Sequence, residues 1–400
     1  MRFLLISSVF PPAFHYGGIP PIVFGLAEAF ISLGHQCQVI TTNAGGDGNL
    51  TVPLDQPTAY QGVPVIYTPR WRRNAYFFAP HLIRHLKNFA SQYDIALVYG
   101  GWGYINLAAR LALPKLSLPY ILNPQGIFDE WAFRQGYLKK RLYWDFIEKK
   151  NYLRASGIMA LTKIEASLIR QYLQDVLVWV IPNGVNLDQF YPAPSREEFN
   201  QFFPELADRP YLLFLSRLHP KKGLDVLFPA FRQFIEKWGG GDRPRPFLVV
   251  AGGGEVKYRN ELTRMVEELN ISDFLLFPGM VTGQAKLALL HHSAFMVLPS
   301  RSEGLPMAVL EALACGKPVI LTPECYLPEV AQSGAGLEVD LDVNKWGDAM
   351  AELWHSPDRQ RHMGESALKL IQEKFTWKKV AEKTVQFSQE LLNHIRKNNV

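Results

Sequence analysis

The sequence predicts an α/β protein built of two Rossmann-like domains in tandem, facing across a cleft. Three observations carry that expectation. The chain has 400 residues, room for two to three domains at about 150 residues each. Short apolar runs alternate with stretches whose apolar residues recur at helical spacing, which argues for a parallel, doubly wound sheet. The alternation stops once, at the Pro-rich, aperiodic NLDQFYPAPS (186–195), and then starts again.

The elements follow in order. Residues 3–9 read as a first buried strand, and the loop PPAFHYGGIPP leads into IVFGLAEAFISLG. There Ile22, Val23, Leu26, Phe30 and Leu33 recur at helical spacing and Gly34 closes the helix. QCQVITT (36–42) is a second strand, and apolar runs return at 63–67, 95–99, 120–122, 158–161 and 178–181. Beyond the linker the strands are PYLLFLSRL (210–218), PFLVVAGGG (246–254), FLLFPG (274–279), AFMVLPS (294–300) and KPVILT (317–322). Residues 1–190 are therefore assigned to a first domain and 191–376 to a second. A last helix runs from about Trp377 to 400 with no strand after it, and could cap either domain.

Composition removes several classes. With 48% hydrophobic and 20% charged residues, 28 Pro and 30 Gly, the chain is neither disordered, collagen-like nor a coiled coil. Cys37, Cys315 and Cys325 form no CxxC and are odd in number, so neither a disulfide framework nor a zinc knuckle is supported. A reducing, cytoplasmic compartment fits them. No apolar run reaches the length of a membrane-spanning helix. MRFLLISSVFPP ends in Pro11-Pro12 without a small-residue cleavage site, and reads as a strand rather than a signal peptide.

The net charge of +5 is unevenly placed. Residues 1–190 hold 17 Lys+Arg against 11 Asp+Glu, and residues 191–400 hold 25 against 26. The surplus gathers at Arg70, Arg72 and Arg73 around Trp71, and in KKRLYWDFIEKKNYLR (139–154). No nucleic-acid-binding module accompanies it. A basic half studded with aromatics suits peripheral contact with an anionic membrane or an acidic substrate; a solvated helix face is the plainer alternative.

One spacing stands out in SRSEGLPMAVLEALACGKPVI: Glu303 and Glu311 are separated by seven residues. Pro306 suits a first helical turn and MAVLEALA is strongly helix-forming. Glu303 then stands before the helix and Glu311 on its second turn. Backbone N–H groups at Leu305, Met307 and Ala308 and the positive helix end would face a phosphate. Carboxylates beside an anion site make sense as acceptors from hydroxyls, which describes a sugar nucleotide. A surface Glu and a capping Glu would be the bland reading.

Arg217 and Lys222 in LSRLHPKKGLDVL follow a strand and precede Gly223. Two cations at a strand's carboxyl end can neutralise a diphosphate; Lys221 competes for the role, and Lys222, directly before the glycine, is preferred. As basic residues capping a solvent loop they would do nothing chemical. Gly17-Gly18 and Gly252-Gly253-Gly254 could let backbone approach a phosphate, but neither matches GxGxxG in full, so a dinucleotide site is disfavoured. Asp340-Leu341-Asp342 lies far from the Glu pair, and His291-His292 lack partners at metal-ligand spacing. No metal is expected, and no GxSxG elbow or Cys/His nucleophile pattern appears.

Taken together these residues resemble glycosyltransferase family 4, retaining enzymes of the GT-B fold. The resemblance covers nearly the whole chain. It rests on YGGIPPIVFGLAEAFISLGHQCQVIT, IPNGVNLDQF, SRLHPKKGLDVL, VAGGG, FPGMV and the E-x7-E block SEGLPMAVLEALACGKPVI. It implies a nucleotide-sugar donor in the second domain and an acceptor in the first. By the same resemblance Arg217 and Lys222 bind the diphosphate, Glu311 the ribose, Glu303 the donor sugar and backbone at Met280-Val281 the base. Gly17 and Gly18 would close on the phosphates, and the last helix would cross back to the first domain. One departure stands out: where many relatives carry His-Gly, this chain reads Gln125-Gly126, and Gln cannot shuttle a proton.

The function expected is a metal-independent, cofactor-free hexosyltransferase in polysaccharide or glycoconjugate synthesis. It would use a nucleotide-sugar, UDP-glucose foremost, and a glycan or lipid-linked acceptor. A UDP-sugar epimerase of the same fold and a non-catalytic nucleotide-sugar-binding protein are the rivals.

Overall fold

The computed structural model describes residues 1–46, 48–71, 76–128, 141–207, 209–238 and 244–398. Two compact units emerge, Met1–Gly184 with Trp377–Val400, and Val185–Thr376. The boundary thus falls at Gly184 rather than at 190, and the reason is local. Val185 N–H donates to Phe375 C=O at 2.8 Å, while His291 and His292 reach the carbonyls of Phe190 and Pro194 at 2.7 and 3.0 Å. The linker is therefore tied to the second unit from its first residue.

In the first unit the strands are β1 (Arg2–Ser7), β2 (Gln36–Thr42), β3 (Ala44–Gly45), β4 (Gly48–Asn49), β5 (Thr58–Tyr60), β6 (Val63–Thr68), β7 (Ile95–Tyr99), β8 (Tyr120–Asn123), β9 (Gly157–Ala160) and β10 (Val178–Val180). Eight of them form one sheet in the order β10-β9-β8-β7-β1-β2-β6-β5. It is parallel except for the edge strand β5, antiparallel to β6. β3 and β4 make a separate small hairpin. These short strands carry no apolar run, which is why periodicity does not announce them.

The helix Ile19–Ser32 crosses from β1 to β2 and is held to the sheet by Phe30, whose ring stacks on Phe3 with centroids 4.0 Å apart. The C-terminal helix Trp377–Asn398 packs on it. A Cβ on Gly25 would stand 2.2 Å from the Trp377 indole, so only glycine admits that ring. Farther along, Phe387 stacks on Trp179 at 3.9 Å. The last helix thus belongs to the first unit.

The second unit holds β11 (Tyr211–Leu215), β12 (Phe247–Ala251), β13 (Leu275–Gly279), β14 (Phe295–Leu298), β15 (Val319–Leu321) and β16 (Gly336–Glu338). Their order is β13-β12-β11-β14-β15-β16, all parallel. β11, β12 and β14 are buried at every position, as strands covered on both faces must be. Chain direction along the sheet reverses between β11 and β14. In open α/β sheets that is where a crevice opens beyond the carboxyl ends of the strands.

Candidate active site

The loops beyond β11 and β14, on either side of that reversal, carry the singled-out residues. After β11 the chain runs through Arg217 and Lys222 to Gly223, which has φ +71° and precedes the helix Leu224–Lys237. A Cβ at Gly223 would lie 1.9 Å from the Pro299 carbonyl oxygen, so glycine lets the two loops touch. Arg301 fastens them: its N–H donates to Lys221 C=O at 2.8 Å, and its guanidinium forks onto Asp225 at 2.7 and 2.7 Å. His219 Nδ1 accepts the Lys221 N–H at 3.1 Å. Burial, helped by Arg217, Lys221 and Lys222, holds the His219 pKa below its ordinary value, which keeps the ring a neutral acceptor.

Glu303 sits in the β14 loop, 8% exposed, its N–H donating to Glu324 C=O at 3.0 Å. Lys222 Nζ donates to Glu303 Oε1 at 2.5 Å. The two side chains form a largely buried ion pair. Pro306 caps the helix Met307–Ala314, whose first N–H groups, at Met307 and Ala308, have no intrahelical partner. Leu305 is buried beside them. Glu311, on the second turn, accepts from Lys286 Nζ at 2.8 Å.

The neighbouring loops close in. Leu218 N–H donates to Gly253 C=O at 2.8 Å, and Cβ atoms on Gly252 and Gly254 would stand 1.7 and 2.5 Å from the Ser216 and Leu218 carbonyl oxygens. Those glycines are required by loop-on-loop packing. Met280, 72% exposed, follows β13 with Val281 and lies against Gly253, 3.7 Å from where its Cβ would be.

In the first unit, Gly17 has φ +77° with nothing within 4 Å of its Cβ position, and Gly18 caps the helix Ile19–Ser32. Pro20 and Pro21 follow and carry no N–H, so this helix start offers few donors. Gln125, at φ +55°, is engaged: its amide donates to Asn123 at 2.9 Å and accepts from Asn183 at 3.1 Å. Gly126 N–H and Leu161 N–H donate to buried Glu165 at 2.7 and 2.6 Å, and burial pushes the Glu165 carboxyl up to about 7.

Other motifs find structural roles. Asp342 caps the helix Val343–Trp354 and Asp340 pairs with Lys345. Among the described residues no group of three or more His, Cys, Asp or Glu is placed to hold a metal ion. Of the basic residues expected around Trp71, Arg72 and Arg73 lie outside the described residues, as do Lys139 and Lys140 of the second cluster. Arg70 is buried, with its guanidinium on Asn49, Gly48 C=O and the Tyr16 hydroxyl. No helix among the described residues is long and apolar enough to cross a membrane.

Comparison with known proteins gives this geometry a family. Residues 195–370 match the family model of glycosyl transferases group 1, and residues 17–184 that of the glycosyl transferase 4-like domain. The chain belongs to the GT4-like glycosyltransferases of the GT-B fold. An uncharacterised glycosyltransferase of Methanocaldococcus jannaschii is 26% identical over 96% of this chain and 97% of its own. A GDP-mannose-dependent alpha-(1-6)-phosphatidylinositol monomannoside mannosyltransferase of Mycobacterium tuberculosis is 33% identical over 52% of this chain. The alignment spans about half of that relative, 54% of its length. Among solved structures, Anabaena HepE in complex with UDP and glucose superposes with a TM-score of 0.75 at 18% identity, covering 98% of this glycosyltransferase and 100% of that chain; at that identity the likeness is one of fold.

Reading the sequence missed three partners of the site. Lys286, Arg301 and Asp225 stand on separate elements from the residues they hold, and no local spacing links them. In the first unit Glu165 and Asn183 were missed for the same reason.

Proposed function

We propose that this glycosyltransferase is a retaining hexosyltransferase that moves a hexose from a nucleoside-diphosphate sugar to a glycan or lipid-linked acceptor. The observation that supports it is the meeting of Lys222 with Glu303 at the strand-order reversal, beside Arg217 and the start of the helix Met307–Ala314. UDP-glucose is the donor put first. GDP-mannose is the second, favoured by the GDP-mannose dependence in the mycobacterial relative's name.

In the transfer step the bond from the anomeric carbon to the diphosphate oxygen breaks, and a bond to the acceptor oxygen forms on the same face. The acceptor proton passes to the departing phosphate oxygen. The protein's part is to position both substrates and stabilise charge growing on the diphosphate, through Arg217, Lys222 and the helix N–H groups. Glu303 accepts from sugar hydroxyls and favours positive character at the anomeric carbon, and Glu311 accepts from the ribose. Two side-chain cations make a divalent ion dispensable in this reading. Gln125, bound to two asparagines, orients an acceptor by hydrogen bonding. The enzyme would work in the cytoplasm, touching the membrane peripherally.

The test is a thermal-shift screen of UDP-glucose, GDP-mannose, UDP and GDP, followed by mass spectrometry of products with candidate acceptors. Nucleoside diphosphate released only when an acceptor is present, together with a retained anomeric configuration, supports the reading. Interconversion of sugar nucleotides without acceptor makes the protein an epimerase; binding without turnover makes it a sensor.

A further inference from the structure

The first unit carries a basic, partly apolar surface to which the proposed transfer step assigns no residue. Arg110, on the helix Tyr104–Ala112, joins Lys150, Leu153 and Arg154, on the helix Lys149–Arg154, around a cavity of about 300 Å³. Three cations line it and no carboxylate does. Arg110 is braced from inside, its Nε donating to Asn151 Oδ1 at 2.8 Å. The nearby Glu148 is fully buried and turned inward: it accepts from Asn106 and Asn151 at 2.6 and 2.9 Å and from Trp102 N–H at 3.2 Å. It leaves the cavity's positive charge unbalanced.

Around that cavity the surface is apolar. Leu142, Phe146 and Leu153 are 52%, 67% and 53% exposed, and Leu111 is 42% exposed. Among the described residues of 141–154, Arg141 and Lys149 are exposed beside them, and Asp145 is the one exposed acid. Along residues 142–153 two leucines and a phenylalanine thus stand outward beside cavity cations that have no carboxylate partner among the described residues. Cations and protruding apolar side chains together are the two signals an anionic bilayer takes, where either alone binds weakly.

We propose that this face docks the first unit on an anionic phospholipid membrane. A lipid phosphate enters between Arg110, Lys150 and Arg154, while Leu142, Phe146 and Leu153 reach the boundary between headgroups and acyl chains. The proposal rests on the peripheral membrane contact of the proposed function and names the face that makes it, and vesicle binding is read without any nucleotide.

Sedimentation of the full chain with phosphatidylcholine vesicles, with and without phosphatidylglycerol, tests it. Binding should need phosphatidylglycerol and be lost at high salt, since surface charge is screened within about 8 Å at physiological ionic strength. Lys150→Gln with Arg154→Gln should lower partitioning about thirtyfold, from roughly fivefold per basic residue. Phe146→Ser should lower it about tenfold or more. All three side chains are exposed, so circular dichroism and nucleoside-diphosphate binding should be unchanged in the variants, which separates loss of docking from loss of the enzyme. Failure of the parent protein to bind phosphatidylglycerol vesicles at low salt overturns the proposal. So does equal binding by parent and variants, or release of the parent by free glycerol phosphate, which would make the cavity a site for a soluble phosphate.

Discussion

Glu303→Gln separates the two roles a buried carboxylate can have beside a lysine. Lys222 and Glu303 are 12% and 9% exposed and meet at 2.5 Å. Removing one member of a buried pair costs about 3–5 kcal/mol, because the other charge stays behind. Taking the lower figure, for the water still reaching Lys222, Glu303→Gln should lower the melting temperature of the second unit by roughly 6–12 °C. A nucleoside diphosphate should then return much of the loss. Lys222, no longer shared with Glu303, would give its whole charge to the phosphates, and a charge-assisted hydrogen bond is worth about 1.5–3 kcal/mol. UDP or GDP should therefore bind the variant about tenfold more tightly than the parent, while kcat falls by about 10² or more. Scanning calorimetry with and without nucleotide, alongside steady-state kinetics, reads all three quantities. An unchanged melting temperature, with the same nucleotide shift as the parent, would refute the coupling of Lys222 and Glu303.

Lys222→Ala should weaken UDP or GDP by about tenfold or more and leave the nucleoside untouched; equal losses in calorimetry would take Lys222 away from the phosphates. Glu311→Gln and Lys286→Met should raise KM for the donor with little change in kcat, since the ribose does not change during transfer; a kcat effect would place them at the reacting carbon. The Glu165 carboxyl, pushed by burial up to about 7 from its ordinary carboxylate range, means the folded state holds a proton the unfolded chain has lost. Stability should fall by about 3 kcal/mol as pH rises from 4.5 to 7, and a Glu165→Gln melting curve that keeps the same slope would contradict this. Gly223→Ala should cost about 1–3 kcal/mol for its left-handed backbone and more for the Pro299 contact; a parental melting temperature would show that the loops part easily.

The sequence is most legible where chemistry and periodicity coincide. β11, β12 and β14 announce themselves because strands covered on both faces are apolar at every position, and the E-x7-E block stands out because a loop carboxylate and a helix carboxylate flank a helix start. The pairing of Lys222 with Glu303, 81 residues apart, is invisible to any local pattern, as is the Arg301 fork onto Asp225. Glycines mislead in an instructive way. Gly252-Gly253-Gly254 look like a phosphate loop, but backbone carbonyls from the neighbouring strand end occupy the space two of the three would need for a side chain. The domain boundary slipped because Pro-rich composition marks where regular structure stops; hydrogen bonds decide to which unit the loop belongs.

The two lysine–glutamate pairs suggest how the donor site holds its charge before a donor arrives. Lys222 with Glu303 and Lys286 with Glu311 are each within ion-pair distance, so neither carboxylate stands alone in a partly dry crevice, where an unpaired charge is costly. In the proposed reading a donor exchanges partners. Its diphosphate takes Lys222, and the sugar hydroxyls take the oxygens of Glu303 that Lys222 gives up; at Glu311 the neutral ribose hydroxyls share the carboxylate with Lys286, which stays paired. Glu303 thereby becomes a hydroxyl acceptor only once a ligand supplies the replacement charge, whereas Glu311 keeps Lys286 throughout. Among the described residues Arg217 pairs with no carboxylate, and it is exposed at the strand end; in the proposed reading it attracts the diphosphate first. On this argument a nucleoside without phosphates leaves the Lys222–Glu303 pair closed and binds weakly, because only a phosphate can open it. The spacing of seven residues then does more than place two carboxylates: it sets one that exchanges its cation and one that keeps it about a single helix start.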